Sequence, residues 1–304
     1  MPDPLVAIVV LNWNGREDSF ECLSSLRAVT YRPVKTLLVD NGSTDGSAAF
    51  LREKFPEAEI IETGRNLGFA EGCNVGIRRA LELGAELVLL LNNDTAAEPG
   101  FLAKLVAAAS ADRSIGVIGP RLNRYEPRDR VWFAGGKVCL WLGASWHVGN
   151  RAADRGQFTG VADEHYQTGA AMMLTREAIE KVGMFDPAYV SYFEDTDLCA
   201  RARRAGFRVA CCRDAVVYHK ISRSTGGGLT PYKAYRKILS GARFFRTYSG
   251  KARYYTTVAC FNFARAAATA MGKALVGKFS VAGAIGRGYF DLWRGRDRDL
   301  RNRS

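Results

Sequence analysis

The chain has 304 residues, of which 47% are hydrophobic, so it can bury the core of one large domain or of a domain with an appendage. Its formal net charge is +12, and its seven cysteines include no Cys-x-x-Cys pair, which argues against a disulfide framework or a structural zinc site. This cysteine usage, with Asp3 where a signal peptide needs positive charge, predicts a cytoplasmic protein.

The positive charge is concentrated in the last quarter of the chain. Residues 229–304 hold 16 Lys plus Arg against 3 acidic residues, whereas residues 1–228 hold 27 against 28. The chain therefore divides near residues 226–228 into a near-neutral body and a basic extension. Such an extension suits an anionic partner, which is a membrane surface, a diphosphate-bearing acceptor or a nucleic acid.

The first part of the chain alternates short apolar runs with amphipathic segments. This alternation predicts parallel β-α-β units. None of the apolar runs is long enough to span a membrane. The predicted strands are residues 5–11, 34–39 and 58–61, and the predicted helices are residues 16–29, a helix that ends near residue 55, and residues 70–83.

A run of Leu and Val at residues 87–91 is followed at once by Asn92, Asn93 and Asp94. A run this short and this apolar predicts a central strand that is buried on both faces of the sheet. Ligands of open α/β sheets lie outside the carboxyl ends of the strands, so we expect Asp94 to point into the site. A helix cap or a turn is the alternative for these polar residues.

The second part of the chain is less regular. Residues 120–163 show no clear periodicity, and we predict a long irregular region of the kind that is often functional. Around it we predict strands at residues 115–118, 167–175, 207–212 and 215–218, and helices at residues 99–110, 176–182 and 197–205, with a helical pattern from residue 231 to about residue 294.

The first predicted strand is followed by Asn12-Trp13-Asn14-Gly15, which is neither a G-x-G-x-x-G fingerprint nor a P-loop. Carboxylates nevertheless follow the second and fourth strands, at Asp40 and Asp94. This combination fits a nucleotide bound across the sheet edge, with its diphosphate held by a metal ion.

Seven short motifs follow one another along the chain. They are VVLNWNG (residues 9–15), VDNGSTDGS (39–47), NLGFAEGCNVGI (66–77), LLLNNDT (89–95), TGAAMML (168–174), FEDTDLCAR (193–201) and VYH (217–219). In this order they resemble the family 2 glycosyltransferases with the GT-A fold, and the rhamnosyltransferase-like branch in particular. The resemblance implies an α/β GT-A catalytic domain at residues 1–228, with a mostly parallel central sheet flanked by helices, and a helical basic extension at residues 229–304.

The resemblance also implies a reaction. A sugar would move from a nucleotide-diphospho-sugar, with dTDP- or UDP-sugars favoured, to a hydroxyl group of a cell-envelope glycan or a lipid-linked acceptor. The alternatives are a sugar nucleotidyltransferase and a non-enzymatic protein that binds an anionic ligand. Neither the sugar, the acceptor nor the oligomeric state follows from the sequence.

By the same resemblance, the donor nucleotide would be bound by Asn12, Asn14, Asp40, Asn66, Gly68, Asn92 and Asp94. Asp40 would accept the imide N–H of uracil or thymine, because an ionised carboxylate only accepts hydrogen bonds. An Asx-turn into the next helix is the alternative for Asp40. Gly68 would allow close backbone approach, although a glycine turn before a helix needs no ligand.

The metal site is implied by Asn92-Asn93-Asp94, which matches the D-x-D motif of the family with its first Asp replaced by Asn. Asp94 and His219 would hold Mg²⁺ or Mn²⁺, hard cations that take oxygen ligands and substrate phosphates. The missing carboxylate at Asn92 leaves open whether the metal is strictly required. A structural role is the alternative for His219.

Catalysis would depend on the acidic cluster that begins at Glu194. Asp195 would be the general base that takes the proton of the acceptor hydroxyl. The like charge of its neighbour Glu194 would raise the pKa of one of the two carboxyl groups. The reaction would invert the anomeric configuration. Capping of the following helix is the alternative. The predicted sugar and acceptor pocket contains Thr168, Gly169 and Trp146, with Trp132 and Trp141 as further candidates, although core packing is the default for a Trp.

The basic extension at residues 229–304 mixes apolar residues with Lys and Arg. We expect it to lie on the inner, anionic face of the membrane as a peripheral contact, with a solvated helical cap as the alternative. A nucleic-acid partner is not expected, because the extension contains no recognisable recognition motif.

Overall fold

A ten-stranded sheet forms the centre of the protein, for which the computed structural model describes residues 3–221 and 228–295. The first part of the chain alternates strands and helices: β1 (Val6–Asn12), α1 (Arg16–Arg27), β2 (Val34–Asp40), α2 (Ser47–Lys54), β3 (Glu59–Glu62), α3 (Phe69–Glu82) and β4 (Leu87–Asn92). Strand β1 pairs in parallel with β2 and β4, and β2 pairs in parallel with β3. The predicted parallel β-α-β units are confirmed.

The two central strands, β1 and β4, form the core of this part. All residues from 6 to 10 and from 87 to 91 are buried. These strands are covered on both faces, which explains their continuous apolar runs. Helix α3 packs so closely on β1 that a Cβ atom at Gly76 would lie 2.2 Å from Cγ1 of Val9.

The second part of the chain contains more strands than we predicted. After β4 come β5 (Thr95–Ala97), α4 (Phe101–Ala111), β6 (Ile115–Arg124), β7 (Val131–Phe133), β8 (Gly136–Cys139), β9 (Ala144–His147), β10 (Val161–Asp163), β11 (Ala171–Thr175), α5 (Arg176–Val182), α6 (Glu194–Arg204) and β12 (Arg208–His219). Among the described residues, the strand order in the large sheet is β10-β12-β6-β11-β4-β1-β2-β3, with β5 on β12 and β7 on β6.

The topology of this part brings three polar chain segments together. Strand β11 is antiparallel to β4, so it begins where β4 ends, and Asn92 N–H donates to the Ala170 carbonyl at 2.9 Å. Strand β12 is antiparallel to β5, which places His219 opposite Thr95. The polar ends of β4 and β12 and the residues before β11 therefore share one edge of the sheet.

Three predictions about these elements were wrong. Residues 120–163 are not irregular, because they contain part of β6 and four strands of three or four residues, which are too short to show a clear period of two. The two strands predicted at residues 207–212 and 215–218 are the single strand β12, whose register is irregular between Cys212 and Val216. Helix α6 begins at Glu194, three residues before the predicted start at residue 197.

The basic extension is helical, as predicted. It contains α7 (Pro231–Tyr248), α8 (Lys251–Arg253), a π-helical turn (Tyr254–Val258), α9 (Ala259–Leu275) and α10 (Phe279–Trp293). Helix α7 contacts the body: Ser240 Oγ donates to the Ser191 carbonyl at 2.9 Å, and Tyr248 Oη donates to Asp197 Oδ1 at 2.8 Å. The division into two domains stays a prediction, and its expected boundary at residues 226 and 227 lies outside the described residues.

Helix α9 differs from α7 and α10 in that none of its residues is buried. Helices α7 and α10 pack together through a small apolar cluster that includes Ala234, Val281, Ala284 and Ile285. Among the helices that the structure describes, none has both the length and the apolarity needed to pass through a bilayer.

Candidate active site

A cleft of about 2640 Å³ lies at the sheet edge where the polar strand ends meet. Its walls include Asp94 after β4, Thr168 before β11, Asp195 in the first turn of α6 and His219 at the end of β12. Asp94 and His219, which are 125 positions apart in the chain, thus line one cavity. Four predicted site residues, Asp40, Asp94, Asp195 and His219, were expected to converge on one cleft; the last three line this cavity, and Asp40 does not.

Asp94 and His219 form a buried pair. Nε2 of His219 lies 3.0 Å from Oδ1 of Asp94, and both side chains are about 6% exposed. Burial by itself would raise the pKa of Asp94, but the charge and hydrogen bond of His219, with the charge of Lys220, outweigh it and lower that pKa. Because its pKa is lowered, the Asp94 carboxylate is ionised at neutral pH. Trp132 contacts the His219 imidazole edge-on, with ring centroids 4.6 Å apart.

This pair has the chemistry of a site for a hard divalent cation. Two ligands on neighbouring corners of a Mg²⁺ octahedron lie roughly 3 Å apart, which the observed separation of 3.0 Å matches. Nδ1 of His219, the ring nitrogen that does not contact Asp94, is buried and has no hydrogen-bond partner among the described atoms. Across residues 3–221 and 228–295 no group of three His, Cys, Asp or Glu residues is arranged to hold a metal, so a bound cation would complete its shell with phosphate or water oxygens.

Asp195 is held at the start of α6 by hydrogen bonds from two segments. Its Oδ2 accepts from Gly169 N–H at 3.0 Å, and its Oδ1 accepts from Thr196 N–H at 2.6 Å and Thr196 Oγ–H at 3.0 Å. Burial raises the pKa of Asp195, while these hydrogen bonds favour its ionised form. The carboxylate is thus fixed in position at the cleft wall.

Glu194 lies next to Asp195 in the chain, but its carboxyl group has a different environment. Its Oε2 is buried and has no hydrogen-bond partner in the part of the chain that the structure describes. Burial, and then the charge of Asp195, raise the pKa of Glu194 well above its ordinary value. Because the Asp195 carboxylate accepts three hydrogen bonds and Oε2 of Glu194 accepts none among the described residues, a proton shared by the two groups favours Glu194 over Asp195.

The turn before α6 is strained. Tyr192 and Phe193 both have φ of 68°, in the left-handed region that residues with side chains rarely adopt. The Phe193 ring packs against Phe244 and Phe245 of α7, with centroids 5.4 and 5.6 Å away. Packing against α7 thus holds the conformation that directs Glu194 and Asp195 into the cleft.

Two of the residues predicted for the sugar and acceptor pocket lie at the cleft. Thr168 and Gly169 both line it, and a Cβ atom at Gly169 would lie 3.1 Å from the Phe69 ring. Trp146 does not line it. Alternate residues of a strand point to opposite faces, so Ser145 and His147 of β9 face the cleft while Trp146 faces solvent and is 51% exposed.

The two other Trp candidates also differ from one another. Trp132 lines the cleft beside His219. Trp141 lies outside it, 63% exposed, with the Arg253 guanidinium 3.6 Å from its ring centroid. Trp141 and Trp146 therefore do not belong to the predicted sugar and acceptor pocket.

Of the residues predicted to bind the donor nucleotide, Asn66, Gly68 and Asn92 lie in the cleft wall. Asn41, which we did not single out, organises this wall. Its Nδ2 donates to Asn66 Oδ1 and to the Gly68 carbonyl, both at 3.1 Å, and its Oδ1 accepts from Leu67 N–H at 2.9 Å. Its position directly after Asp40, at the end of β2, was the signal in the sequence.

Three predicted nucleotide ligands do not line the cleft: Asn12, Asn14 and Asp40. Asp40 is 2% exposed, and its carboxylate accepts from Asn12 Nδ2 at 2.8 Å and from Ser43 N–H at 2.9 Å. Asn14 Oδ1 accepts from Thr44 N–H at 2.8 Å. These bonds correspond to the Asx-turn alternative, because the turn after β2 uses the polar groups that we expected to contact the nucleotide.

Two comparisons of sequence place the chain among known proteins. A model described as "Glycosyltransferase like family 2" matches residues 2–237. The chain is 29% identical over 223 residues to N-acetylglucosaminyl-diphospho-decaprenol L-rhamnosyltransferase of Mycobacterium tuberculosis, which covers 67% of this chain and 72% of the relative. It is 27% identical over 179 residues to dTDP-rhamnosyl transferase RfbF of Shigella flexneri, covering 56% of each protein.

Solved structures share the fold. The mannosyltransferase PcManGT of Pyrobaculum calidifontis, solved with GDP-Man and Mn²⁺, superposes with a TM-score of 0.60 at 18% identity, covering 96% of this chain and 88% of that one. GalNAc-T7, solved with UDP, GalNAc and Mn²⁺, gives a TM-score of 0.60 at 15% identity over 82% of this chain and 55% of that one. The predicted fold class is confirmed.

Proposed function

The chain belongs to the glycosyltransferase-like family 2, and from this premise we propose that it is an inverting, metal-dependent hexosyltransferase. It transfers a sugar from a nucleotide-diphospho-sugar to a hydroxyl group of a glycan or lipid-linked acceptor. The observation that carries this proposal is that the Asp94–His219 pair and the hydrogen-bonded Asp195 carboxylate line the same cleft. Neither a nucleotidyltransferase nor a non-enzymatic binding protein is favoured by the family match.

Asp195 is the general base in this proposal. Its ionised carboxylate takes the proton of the acceptor hydroxyl, and the acceptor oxygen forms a bond to the anomeric carbon. The bond between that carbon and the diphosphate oxygen breaks, and the nucleoside diphosphate leaves from the opposite face, so the configuration inverts. Glu194 retains its own proton throughout, which leaves the base role to Asp195 alone.

Asp94 and His219 are the residues that would hold the metal, with Mg²⁺ and Mn²⁺ as the candidates. A divalent cation there would neutralise charge that develops on the departing diphosphate. Asn92 lines the cleft beside this pair and retains a polar side chain, although it cannot add the charge of a second carboxylate. The donor is a dTDP- or UDP-sugar, and the relative named dTDP-rhamnosyl transferase supports the dTDP-sugar.

We further propose that the extension places the protein on the inner membrane surface. Leu275 and Phe279, at the turn between α9 and α10, are 87% and 70% exposed, and Trp293 at the end of α10 is 82% exposed. Lys273 precedes this turn and Lys278 lies within it. Exposed apolar residues beside cations suit insertion into an anionic lipid surface. In liposome flotation at low salt, the protein should bind anionic vesicles, and L275S/F279S should not. Equal flotation of both would contradict this arrangement.

The test of the reaction is donor turnover. Purified protein with Mn²⁺ or Mg²⁺ should hydrolyse one of a panel of dTDP-, UDP- and GDP-sugars, and the nucleotide it binds should raise its apparent stability in a thermal-shift screen. Asp195→Asn should lower turnover by about 10²-fold to 10⁴-fold with nucleotide binding intact. Glu177→Gln, an exposed carboxylate of α5, is the matched control. Normal turnover by Asp195→Asn would show that another group is the base.

A further inference from the structure

Tyr166 is a buried residue of the cleft wall to which the proposed reaction gives no role. It lines the cavity and is 4% exposed. Within residues 3–221 and 228–295 its Oη takes part in no hydrogen bond, although most buried hydroxyl groups have a partner. A buried hydroxyl group without a partner lowers stability by about 1–3 kcal/mol. In a binding cleft, the group that supplies the missing bond is a group of the ligand, or a water molecule that the ligand displaces.

The Tyr166 ring is held in place by close packing. A Cβ atom at Gly136 would lie 2.5 Å or less from three carbon atoms of this ring, so a residue with a side chain at that position would displace it. The next residue, Gln167, anchors the backbone: its N–H donates to Cys199 Sγ at 3.3 Å, and its Nε2 donates to the Ala210 carbonyl at 2.7 Å. The hydroxyl group of Tyr166 therefore has a defined position before any ligand binds.

The proposed base lies close enough to Tyr166 to affect its ionisation. Burial, and then the charge of Asp195, raise the pKa of Tyr166, so the phenol is un-ionised at neutral pH. An un-ionised phenol can both donate and accept a hydrogen bond. Thr168, two residues further along the same segment, also lines the cleft, and Gly169 N–H donates to Asp195 at 3.0 Å. Tyr166 thus belongs to the part of the wall that lies next to the base.

Two other aromatic residues of the cleft wall connect Tyr166 to the proposed metal site. The His147 ring centroid lies 6.2 Å from that of Tyr166 and 4.8 Å from that of Trp132. Trp132 in turn contacts His219, with ring centroids 4.6 Å apart. Burial is the main cause that lowers the pKa of His147 to about 4, so this imidazole is neutral. Trp132, His147 and Tyr166 thus form an uncharged aromatic wall that runs from the His219 end of the cleft towards Asp195.

The aromatic wall spans the interval in which the donor sugar must react. In the proposed reaction, the anomeric carbon lies between the diphosphate, at the Asp94–His219 pair, and the acceptor oxygen, at Asp195. The sugar ring contains that carbon, so the ring lies along the same interval. Pockets for small ligands combine aromatic side chains with a few polar groups that fix the orientation of the ligand. Trp132 and the Tyr166 hydroxyl group supply these two components.

We propose that Tyr166 is a specificity-determining residue, whose Oη hydrogen-bonds one hydroxyl group of the donor sugar while the sugar lies against Trp132 and His147. This inference rests on the proposed function for the position of the anomeric carbon, and it adds the residue that distinguishes one sugar from another. The observation that carries it is a fixed hydroxyl group without a partner, among the described residues, between the metal pair and the base. A sugar that lacks the contacted hydroxyl group leaves Tyr166 unpaired and should bind more weakly.

The test is isothermal titration of the full chain with saturating Mn²⁺, with dTDP-L-rhamnose, dTDP-glucose and UDP-glucose as probes. At least one probe should bind more tightly than its own nucleoside diphosphate. Tyr166→Phe should weaken the binding of that probe by about five-fold to a hundred-fold and leave the affinity for the nucleoside diphosphate unchanged. Tyr31→Phe is the matched control, because Tyr31 is also buried, donates to the Pro4 carbonyl and does not line the cleft.

Derivatives of that probe that each lack one sugar hydroxyl group identify the contact. The parent protein should bind one of these derivatives less tightly than the complete probe, and Tyr166→Phe should bind that derivative as tightly as the parent protein does, because the bond is already lost. The free energy of unfolding without ligand separates this role from a structural one. Since Oη has no partner within the described chain, Tyr166→Phe should retain or exceed the parental stability.

Four results would overturn the proposal. They are a set of probes none of which binds more tightly than its nucleoside diphosphate, an unchanged affinity of Tyr166→Phe for the probe, an equal loss of affinity for every derivative in the variant, and a clear loss of stability in the variant. All four are measured without turnover. A protein that hydrolyses its donor but gives one of them contradicts only the role of Tyr166, whereas the expected affinities without turnover contradict only the reaction.

Discussion

The hydroxyl group of Thr196 should set the pH at which the enzyme becomes active. This side chain is 4% exposed, and its Oγ–H donates to Asp195 Oδ1 at 3.0 Å. Valine has nearly the same shape, so Thr196→Val removes this hydrogen bond and leaves those from the Gly169 and Thr196 backbone N–H groups. The change should raise the pKa of Asp195, because the lost bond favoured the ionised carboxylate.

The size of the pKa shift follows from the negative charge of the Asp195 carboxylate, which accepts the hydrogen bond. A hydrogen bond to a charged group contributes about 1.5–3 kcal/mol, and one pH unit corresponds to about 1.4 kcal/mol. Asp195 must be ionised to accept a proton, so activity falls as the pH decreases through its pKa. The acidic limb of the pH profile should therefore move to higher pH in Thr196→Val by about one pH unit or more.

The measurement is kcat/KM for donor hydrolysis, and for transfer once an acceptor is known, between about pH 5 and pH 9. Thr196→Ser retains the hydroxyl group and should keep the parental profile. If Thr196→Val has the same acidic limb as the parent protein and as Thr196→Ser, the ionisation that controls activity does not belong to Asp195. If the maximal kcat/KM of Thr196→Val is lower but its acidic limb does not move, the substitution has changed the position of the Asp195 carboxylate and not its pKa.

Three further changes test other parts of the structure. His219→Ala should raise the Mn²⁺ concentration for half-maximal turnover by at least about ten-fold and leave metal-free nucleotide affinity unchanged; an unchanged metal requirement would remove His219 as a ligand. Gly76→Ala should lower the free energy of unfolding in urea by about 1–3 kcal/mol, because its Cβ would lie 2.2 Å from Cγ1 of Val9, whereas Gly100→Ala, which meets nothing within 4 Å, should not destabilise. Asp40→Ala should lower the free energy of unfolding by about 2–4 kcal/mol with little change in nucleotide affinity. A large loss of nucleotide affinity with unchanged stability would instead show that Asp40 contacts the nucleobase.

Much of the parallel half of the fold could be predicted from local pattern. The strands around Val9 and Leu89 are covered on both faces, so their apolar runs are continuous and their ends are marked by polar residues. Residues 120–163 were mispredicted because strands of three or four residues are defined by their partners in space. Strand β7, for example, exists because it pairs with β6.

The candidate site shows the same division between local and non-local information. The position of Asp94 at a strand end is a local property, and pattern alone indicated it. Its pairing with His219 depends on the antiparallel register of β12 on β5, which no local pattern contains, and only the order of the family motifs suggested it. Asp40 is also at a strand end, yet its side chain bonds to Asn12 and Ser43, so a strand-end position does not decide whether a carboxylate faces the ligand.

The roles of Glu194 and Asp195 could not be separated by sequence, since both are carboxylates at the start of one helix. What separates them is the segment before β11. Gly169 N–H donates to Asp195, and its lack of a side chain allows this approach beside the Phe69 ring, whereas Oε2 of Glu194 has no hydrogen-bond partner among the described residues. Part of the electrostatic difference between the two adjacent carboxyl groups therefore arises from the antiparallel strand inserted between β4 and β6, and Thr196 of α6 supplies the other two hydrogen bonds. The strand that brings Thr168 and Gly169 to the cleft thus also favours the ionised form of Asp195, the form that the proposed base role requires.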